Sequence, residues 1–380
     1  MTTNDSAKLA LVLGGGGARA AYQVGFLRSL ARAFPDLHFP VLTGVSAGAI
    51  NAAHLANSPD AFPQSVERLA ALWRGITVDQ VFRTDLPTLS TTMLRWALRL
   101  VLGGASLSPP TQGMVDTTPL RRFLQHALGS KDGLLCGIDE NIRRGRLSAV
   151  GITTTNYSDG QSVTWVQGSD IPAWKRPGRQ SMLTTLTVDH ILASCALPLF
   201  FPAIHLGEGW HGDGGIRLTA PLSPAMHLGA DRMIAISTQY AASSTVPAPV
   251  TTRGYPPPAT VIGLLMDAVF LDMLDYDALM TQRFNALLRG HPSARDTGLR
   301  PVELLLIRPS LDLGMIANKF EVELPRTFRF ATRGLGTRET RRADLLATVL
   351  FQPGYINRMI EIGEQDGDRR REEIAAFIGR

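Results

Sequence analysis

In residues 9–20, LALVLGGGGARA, an apolar run breaks into consecutive glycines; in residues 40–52, PVLTGVSAGAINA, a second apolar run meets Gly44-Val45-Ser46-Ala47-Gly48. Leu9 to Leu13 reads as a buried strand, Arg19 to Phe34 as a helix, Pro40 to Thr43 as a second strand and Ala47 to Ala56 as a second helix. This is a βαβ unit. Its parallel strands send their carboxyl ends to one edge of the sheet, so the glycine loop and Ser46 are expected side by side there.

The alternation continues outward from this unit. Further strands are expected at Leu147 to Thr153, Ser162 to Val166, Arg232 to Thr238 and Val302 to Arg308, and helices at Ser65 to Arg74, Pro119 to Leu128, Val188 to Ala196 and Pro221 to Leu228. Such a pattern predicts an α/β fold with a mainly parallel sheet covered by helices on both faces. Tyr240 to Pro258, rich in Pro, Ser and Thr, reads as a loop. Ala259 to Leu288 has helical spacing, and Arg341 to Ile378 reads as two polar-faced helices.

With 380 residues, 44% of them hydrophobic, the chain can bury a sizeable core, as one large domain or two. Cys136 and Cys195 have no CxxC spacing, which argues against a disulfide framework or a zinc cage. The net charge of +5 comes almost wholly from arginine and favours anionic lipid headgroups or nucleic acid. No arginine cluster interleaved with aromatics suggests a base-stacking platform, so nucleic acid is not an expected partner. The amino-terminal pattern is not that of a signal peptide. Met93 to Leu107 contains Arg95 and Arg99, and Val261 to Leu274 contains Asp267 and Asp272, so neither reaches the roughly 18 uninterrupted apolar residues of a membrane span. The expected location is cytoplasmic, peripheral at the inner membrane face at most.

A serine hydroxyl becomes a nucleophile only when a base takes its proton and donors stabilise the oxyanion. In a G-x-S-x-G elbow the glycines let a strand turn sharply into a helix with the serine at the apex, and Gly44, Ser46 and Gly48 match that spacing. The alternative is a plain helix N-cap at Ser46. Gly15-x-Gly17-x-x-Ala20 also fits a dinucleotide fingerprint, but the second strand lacks the acidic residue that would hold a ribose. Gly15, Gly16 and Gly17 therefore read as amide donors to an oxyanion.

LVLGGGGARAAYQVGFLRSL (residues 11–30), TGVSAGAINA (43–52) and HGDGGIRL (211–218) together resemble the patatin-like phospholipases. The resemblance extends to Gly151-Ile152-Thr153, to Ala193-Ser194-Cys195-Ala196-Leu197-Pro198, and to the helical tail of bacterial members. It implies a three-layer fold with a helical C-terminal extension, and a Ser–Asp dyad that uses no catalytic histidine. Carried over by motif, Ser46 is the nucleophile, Asp213 the general base, Gly15, Gly16 and Gly17 the oxyanion loop, and Gly44, Gly48, Gly214, Gly215 and Arg19 its support. Ala20 and Thr219 depart from the family pattern, which often has glycine and asparagine there. The implied organisation is a catalytic domain over 9–240, a Pro/Ser/Thr-rich loop over 241–258 and a mostly helical extension over 259–380.

The implied activity is hydrolysis of acyl esters in phospholipids or related lipids through an acyl-enzyme, with no metal or organic cofactor. Two alternatives stand beside it. One is a catalytically silent lipid-binding or scaffold protein of the same fold; the other is an α/β-hydrolase esterase with His227 or His291 as base. His54 lies eight residues beyond Ser46, about 12 Å along a helix, and out of reach. His211 flanks the Asp213 loop. Arg19 either orients an anion or tethers the glycine loop, and tethering is favoured because a cation opposes the positive helix end. Residues 93–102, apolar apart from Arg95 and Arg99, read as a helix that either lies in a bilayer surface or caps the core, in both cases beside the site.

Overall fold

A computed structural model of the chain describes residues 7–83, 91, 94, 98, 113–240, 255–290, 299–334, 336–337 and 343–379. Its sheet is built outward from β1 (Leu9–Leu13), β2 (Val41–Val45) and β3 (Ala149–Asn156). It continues through β4 (Ser162–Gly168), β5 (Lys175–Arg176), β6 (Arg179–Leu183), β7 (Ile204–Leu206), β8 (Gly209–Asp213), β9 (Arg232–Ile236) and β10 (Glu303–Ile307). The order is β10-β9-β1-β2-β3-β4-β6-β5, and β10 through β3 are parallel. The antiparallel pairs are β3 with β4, β3 with β8, β5 with β6, and β7 with β8.

Side chains alternate across a strand, so β1 feeds two cores. Leu11 and Leu13 join one with Tyr22, Phe26, Tyr355 and Ile360; Ala10 and Val12 join the other with Met233, Leu222 and Leu274. The helices that matter for the site are α1 (Ala21–Ala33), α2 (Ala47–Asn57), α3 (Phe62–Gly75), α4 (Val188–Ser194), α5 (Pro258–Phe270), α6 (Asp272–Gly290), α7 (Asp344–Val349) and α8 (Pro353–Arg369).

The tail differs from its expectation. In place of the two polar-faced helices expected over Arg341 to Ile378, the described part holds α7, α8 and a helix over Arg371–Ile378. In α8, Tyr355, Ile356, Met359, Ile360, Ile362 and Gly363 are buried against α1. The backbones nearly touch: a Cβ on Gly25 would stand 1.9 Å from the Ile360 carbonyl oxygen, and one on Gly363 2.1 Å from that of Tyr22. Charges dilute the apolar stripe in the sequence, but they line its rim, where Glu364 pairs with Arg28 and Arg32.

Strands β5 to β8 and the helix over Cys136–Arg143 were not anticipated. Most of 93–102 lies outside the described residues; only Leu94 and Leu98 belong to them, and both are exposed. So does 241–254, most of the Pro/Ser/Thr-rich stretch. Among the described residues, no helix is long and apolar enough to cross a membrane.

Candidate active site

Ser46 joins β2 to α2 with φ 54° and ψ −133°. A positive φ costs a serine free energy, and such a conformation persists only where the surroundings impose it. They do so through several hydrogen bonds. The Ser46 amide donates to Ser194 Oγ (3.0 Å), the Ser194 hydroxyl donates to the Thr153 carbonyl (2.7 Å), and the Cys195 thiol donates to the Ser46 carbonyl (3.0 Å). A Cβ on Gly48 would lie 2.3 Å from the Leu13 carbonyl oxygen, and one on Gly44 2.5 Å from that of Gly48. The turn therefore tolerates only glycine at these two positions.

The glycine loop packs directly on this elbow. A Cβ on Gly15 would stand 3.1 Å from Ser46 Cβ and 3.7 Å from its Oγ. The carbonyls of Gly14, Gly15 and Gly16 are engaged by the protein: Gly14 by Gln23 Nε2 (2.8 Å), Gly15 by the Thr238 hydroxyl (2.8 Å), and Gly16 by the Arg19 amide (3.2 Å) and Nε (3.3 Å). Among the described residues, the amides of Gly15, Gly16 and Gly17 donate to no protein acceptor. Carbonyls tied back and amides left over is the polarity of a backbone anion cradle.

Arg19 is buried and turned away from this cradle. Its Nη1 lies 3.3 Å from Asp267 Oδ1 on α5 and 3.5 Å from Asp344 Oδ1 on α7, and its Nη2 donates to Thr348 Oγ1 (3.2 Å). It tethers the loop to the C-terminal helices. Ala20 is buried behind the loop, and its carbonyl accepts from Asn51 Nδ2. Thr219 is exposed, and its amide donates to the Arg217 carbonyl.

Sheet register brings Asp213 to the serine. On one flank of β3, β2 pairs with Ala149 to Thr153, ending at Val45 opposite Thr153. β4 occupies the other flank. β8 enters antiparallel where β2 stops, with Asp213 opposite Thr154. Val45 and Asp213 thus meet end to end along one strand, and each is followed by a sharp turn. Gly214 fills the junction: a Cβ there would lie 2.1 Å from the Thr153 carbonyl oxygen and 2.8 Å from Val45 Cγ2. The Asp213 amide donates to the Ala196 carbonyl (2.9 Å), so the Ser194-Cys195-Ala196 stretch holds both residues.

The Asp213 carboxyl is fully buried. Burial pushes it up to about 7, against the opposing pull of the Ser46 hydroxyl and then of the Gly215 amide. Oδ1 accepts from Gly215 N (2.9 Å). Ser46 is near enough to favour the charged form, yet Oδ2 accepts no hydrogen bond of good geometry. A contact that is long or bent in the resting site and tightens with substrate is common for catalytic pairs.

The histidines are committed elsewhere. His211 Nδ1 bonds the Thr154 hydroxyl (2.9 Å), His54 Nε2 the Ser65 carbonyl (3.1 Å), and His227 stacks on Trp174; His291 lies outside the described residues. Phe270, at the end of α5, covers the Asp213 turn, since a Cβ on Gly215 would stand 2.2 Å from its ring. With Gly15, Val45, Leu218 and Leu274 it lines a narrow apolar crevice beside the serine. The sequence reading assigned no role to Ser194, Cys195, Asp267 or Phe270. For the first two a signal existed, the stretch ending in Pro198; for the others only the fold supplies one.

The chain is similar in structure to human GIVD cytosolic phospholipase A2, with 13% identity and a TM-score of 0.48 over 100% of this chain and 61% of that one. It is also similar to VipD from Legionella pneumophila (12% identity, TM-score 0.36, 93% of this chain and 67% of that one). The type III effector ExoU is a third similar structure, at 17% identity and TM-score 0.27, covering 90% of this chain and 78% of the effector. The chain thus spans about three-fifths of the human enzyme's length. No curated protein matches it in sequence. The family model for patatin-like phospholipase matches residues 11–226, more than half of the chain, and that span holds the glycine loop, the elbow at Ser46 and the Asp213-Gly214-Gly215 turn. This chain belongs to the patatin-like phospholipase family.

Proposed function

We propose that the chain is a serine lipid acyl hydrolase acting on phospholipids or related glycerolipids. Ser46 Oγ attacks the ester carbonyl as Asp213 takes its proton. The Gly15, Gly16 and Gly17 amides stabilise the oxyanion, the alcohol leaves with a proton returned by Asp213, and water then cleaves the acyl-enzyme by the same route in reverse. The observation that carries this reading is the β3 register, in which a buried carboxyl with an unoccupied Oδ2 ends next to the serine elbow. A carboxyl pushed up to about 7 holds a proton well enough to act as base and then acid near neutrality.

A fluorophosphonate probe tests the assignment. Wild type should be labelled covalently and should hydrolyse p-nitrophenyl butyrate, while Ser46→Ala should do neither. Labelling that survives in Ser46→Ala, or correctly folded wild type that is neither labelled nor active, would overturn it.

A further inference from the structure

α5 is apolar nearly all round; its one charged residue, Asp267, points inward to Arg19. Its inner face, Ala259 and Gly263, is buried. Its outer face carries Val261, Leu264, Leu265 and Ala268, spaced i, i+3, i+4, i+7, and all exposed, Leu264 to 63% and Leu265 to 58%. Water faces a continuous apolar stripe on the helix whose last residue covers the Asp213 turn.

The sheet register places a second feature on the same edge. β4 begins at Ser162 beside the carboxyl end of β3, and β6 begins at Arg179 opposite Ser162. The turn between β5 and β6, with Arg176 paired to Arg179, therefore lies at the Ser46 edge, and the Gly178 carbonyl accepts from Ser162 N (2.9 Å). Arg217, four residues past Asp213, reaches the neighbouring turn through Nε to the Gly160 carbonyl (2.9 Å). Among the described residues, Lys175, Arg176, Arg179 and Arg217 enter no ion pair, and Arg179 acts on Asp277 only through its longer-range field. Asp159, Glu208, Asp272 and Asp277 are acids on this side; Asp272 already accepts from Gln239 Nε2 and Asp277 from the Leu222 amide. The hairpin of β7 and β8 runs past the same edge and carries Trp210, 51% exposed, beside Tyr157, whose amide donates to the Trp210 carbonyl. Tryptophan and tyrosine suit a boundary between water and hydrocarbon.

The geometry points to a docking face for an anionic lipid bilayer, made by the outer stripe of α5, Trp210 and Tyr157, and the cations Arg176, Arg179 and Arg217. The choice of a lipid surface rests on the hydrolase reading above; the charge and the apolar stripe stand without it. Unpaired guanidinium groups beside exposed leucines match phosphate headgroups above acyl chains. The face lies at the sheet edge that carries Ser46, so docking would bring lipid to that edge.

Co-sedimentation with vesicles tests this, using the Ser46→Ala chain so that binding is read without turnover. Binding should be at least tenfold tighter to phosphatidylcholine vesicles containing phosphatidylglycerol than to phosphatidylcholine alone, and should weaken with salt. In the same background, Arg176→Gln with Arg179→Gln should weaken binding to the anionic vesicles about 25-fold, roughly fivefold per charge. Leu264→Ser with Leu265→Ser should weaken binding to both kinds of vesicle. Introduced into the wild-type chain, neither pair should alter hydrolysis of monomeric p-nitrophenyl butyrate. Unchanged sedimentation of both variants overturns the proposal, as does a dimer that Leu264→Ser with Leu265→Ser dissociates. Vesicle binding with no ester hydrolysis by wild type would leave the docking face standing and remove only the hydrolase.

Discussion

Replacing Asp213 by asparagine should make the protein inert and, above neutral pH, more stable. The carboxyl is held at about 7 in the folded chain against an ordinary 3.8. At roughly 1.4 kcal/mol per pH unit, ionising it in place costs on the order of 4 kcal/mol of folding free energy, as an upper bound. Because the folded value is the higher one, the native chain binds more protons than the unfolded chain between about pH 4 and 7. Stability falls as pH rises through that window. Asparagine carries no such cost, and its Oδ1 still accepts the Gly215 amide. Urea unfolding followed by tryptophan fluorescence should show the variant equal to wild type near pH 4 and more stable by up to about 4 kcal/mol near pH 8.5. In wild type, kcat/KM for a monomeric ester should rise with pH around 7 and then level off. A stability difference that does not change with pH, or an activity profile flat from pH 5 to 9, would refute the reasoning.

A methyl group at Gly15 would press on Ser46 Cβ at 3.1 Å, so Gly15→Ala should lower kcat about 100-fold with fluorophosphonate labelling slowed in proportion, and leave the unfolding midpoint almost unmoved. Gly363→Ala drives a Cβ into the Tyr22 carbonyl and should cost about 3 kcal/mol in denaturant unfolding, while activity per folded molecule stays near wild type. Asp267→Asn leaves Arg19 with Asp344 and should reduce kcat more than stability. Adding Asp344→Asn removes both carboxylates from a buried guanidinium and should destabilise by about 3–5 kcal/mol in the same unfolding measurement.

The βαβ unit, the order of its elements and the residues gathered at its edge were legible because each has a local signal. β-branched and leucine runs mark β1 and β2, and glycine marks the loop and the elbow. What was not legible depends on distant partners. β8 is only GWHGD, with no alternation to announce a strand, and it becomes one because β3 offers an open flank beyond Val45. α8 reads as polar because charged residues are interspersed with its stripe, and only α1 reveals which face is buried. Arg19 could be named from the sequence as a tether, but not its anchors, which lie some 250 and 325 residues away.

The close seat of the glycine loop on the tail has one more consequence. A Cβ on Gly17 would stand 2.1 Å from the Thr348 carbonyl oxygen, and Arg19 closes on the same short helix. The amide cradle is thus braced by residues more than 300 positions further along the chain. Shortening the chain before residue 344 should therefore leave the serine elbow in place and take the brace from under the glycine loop.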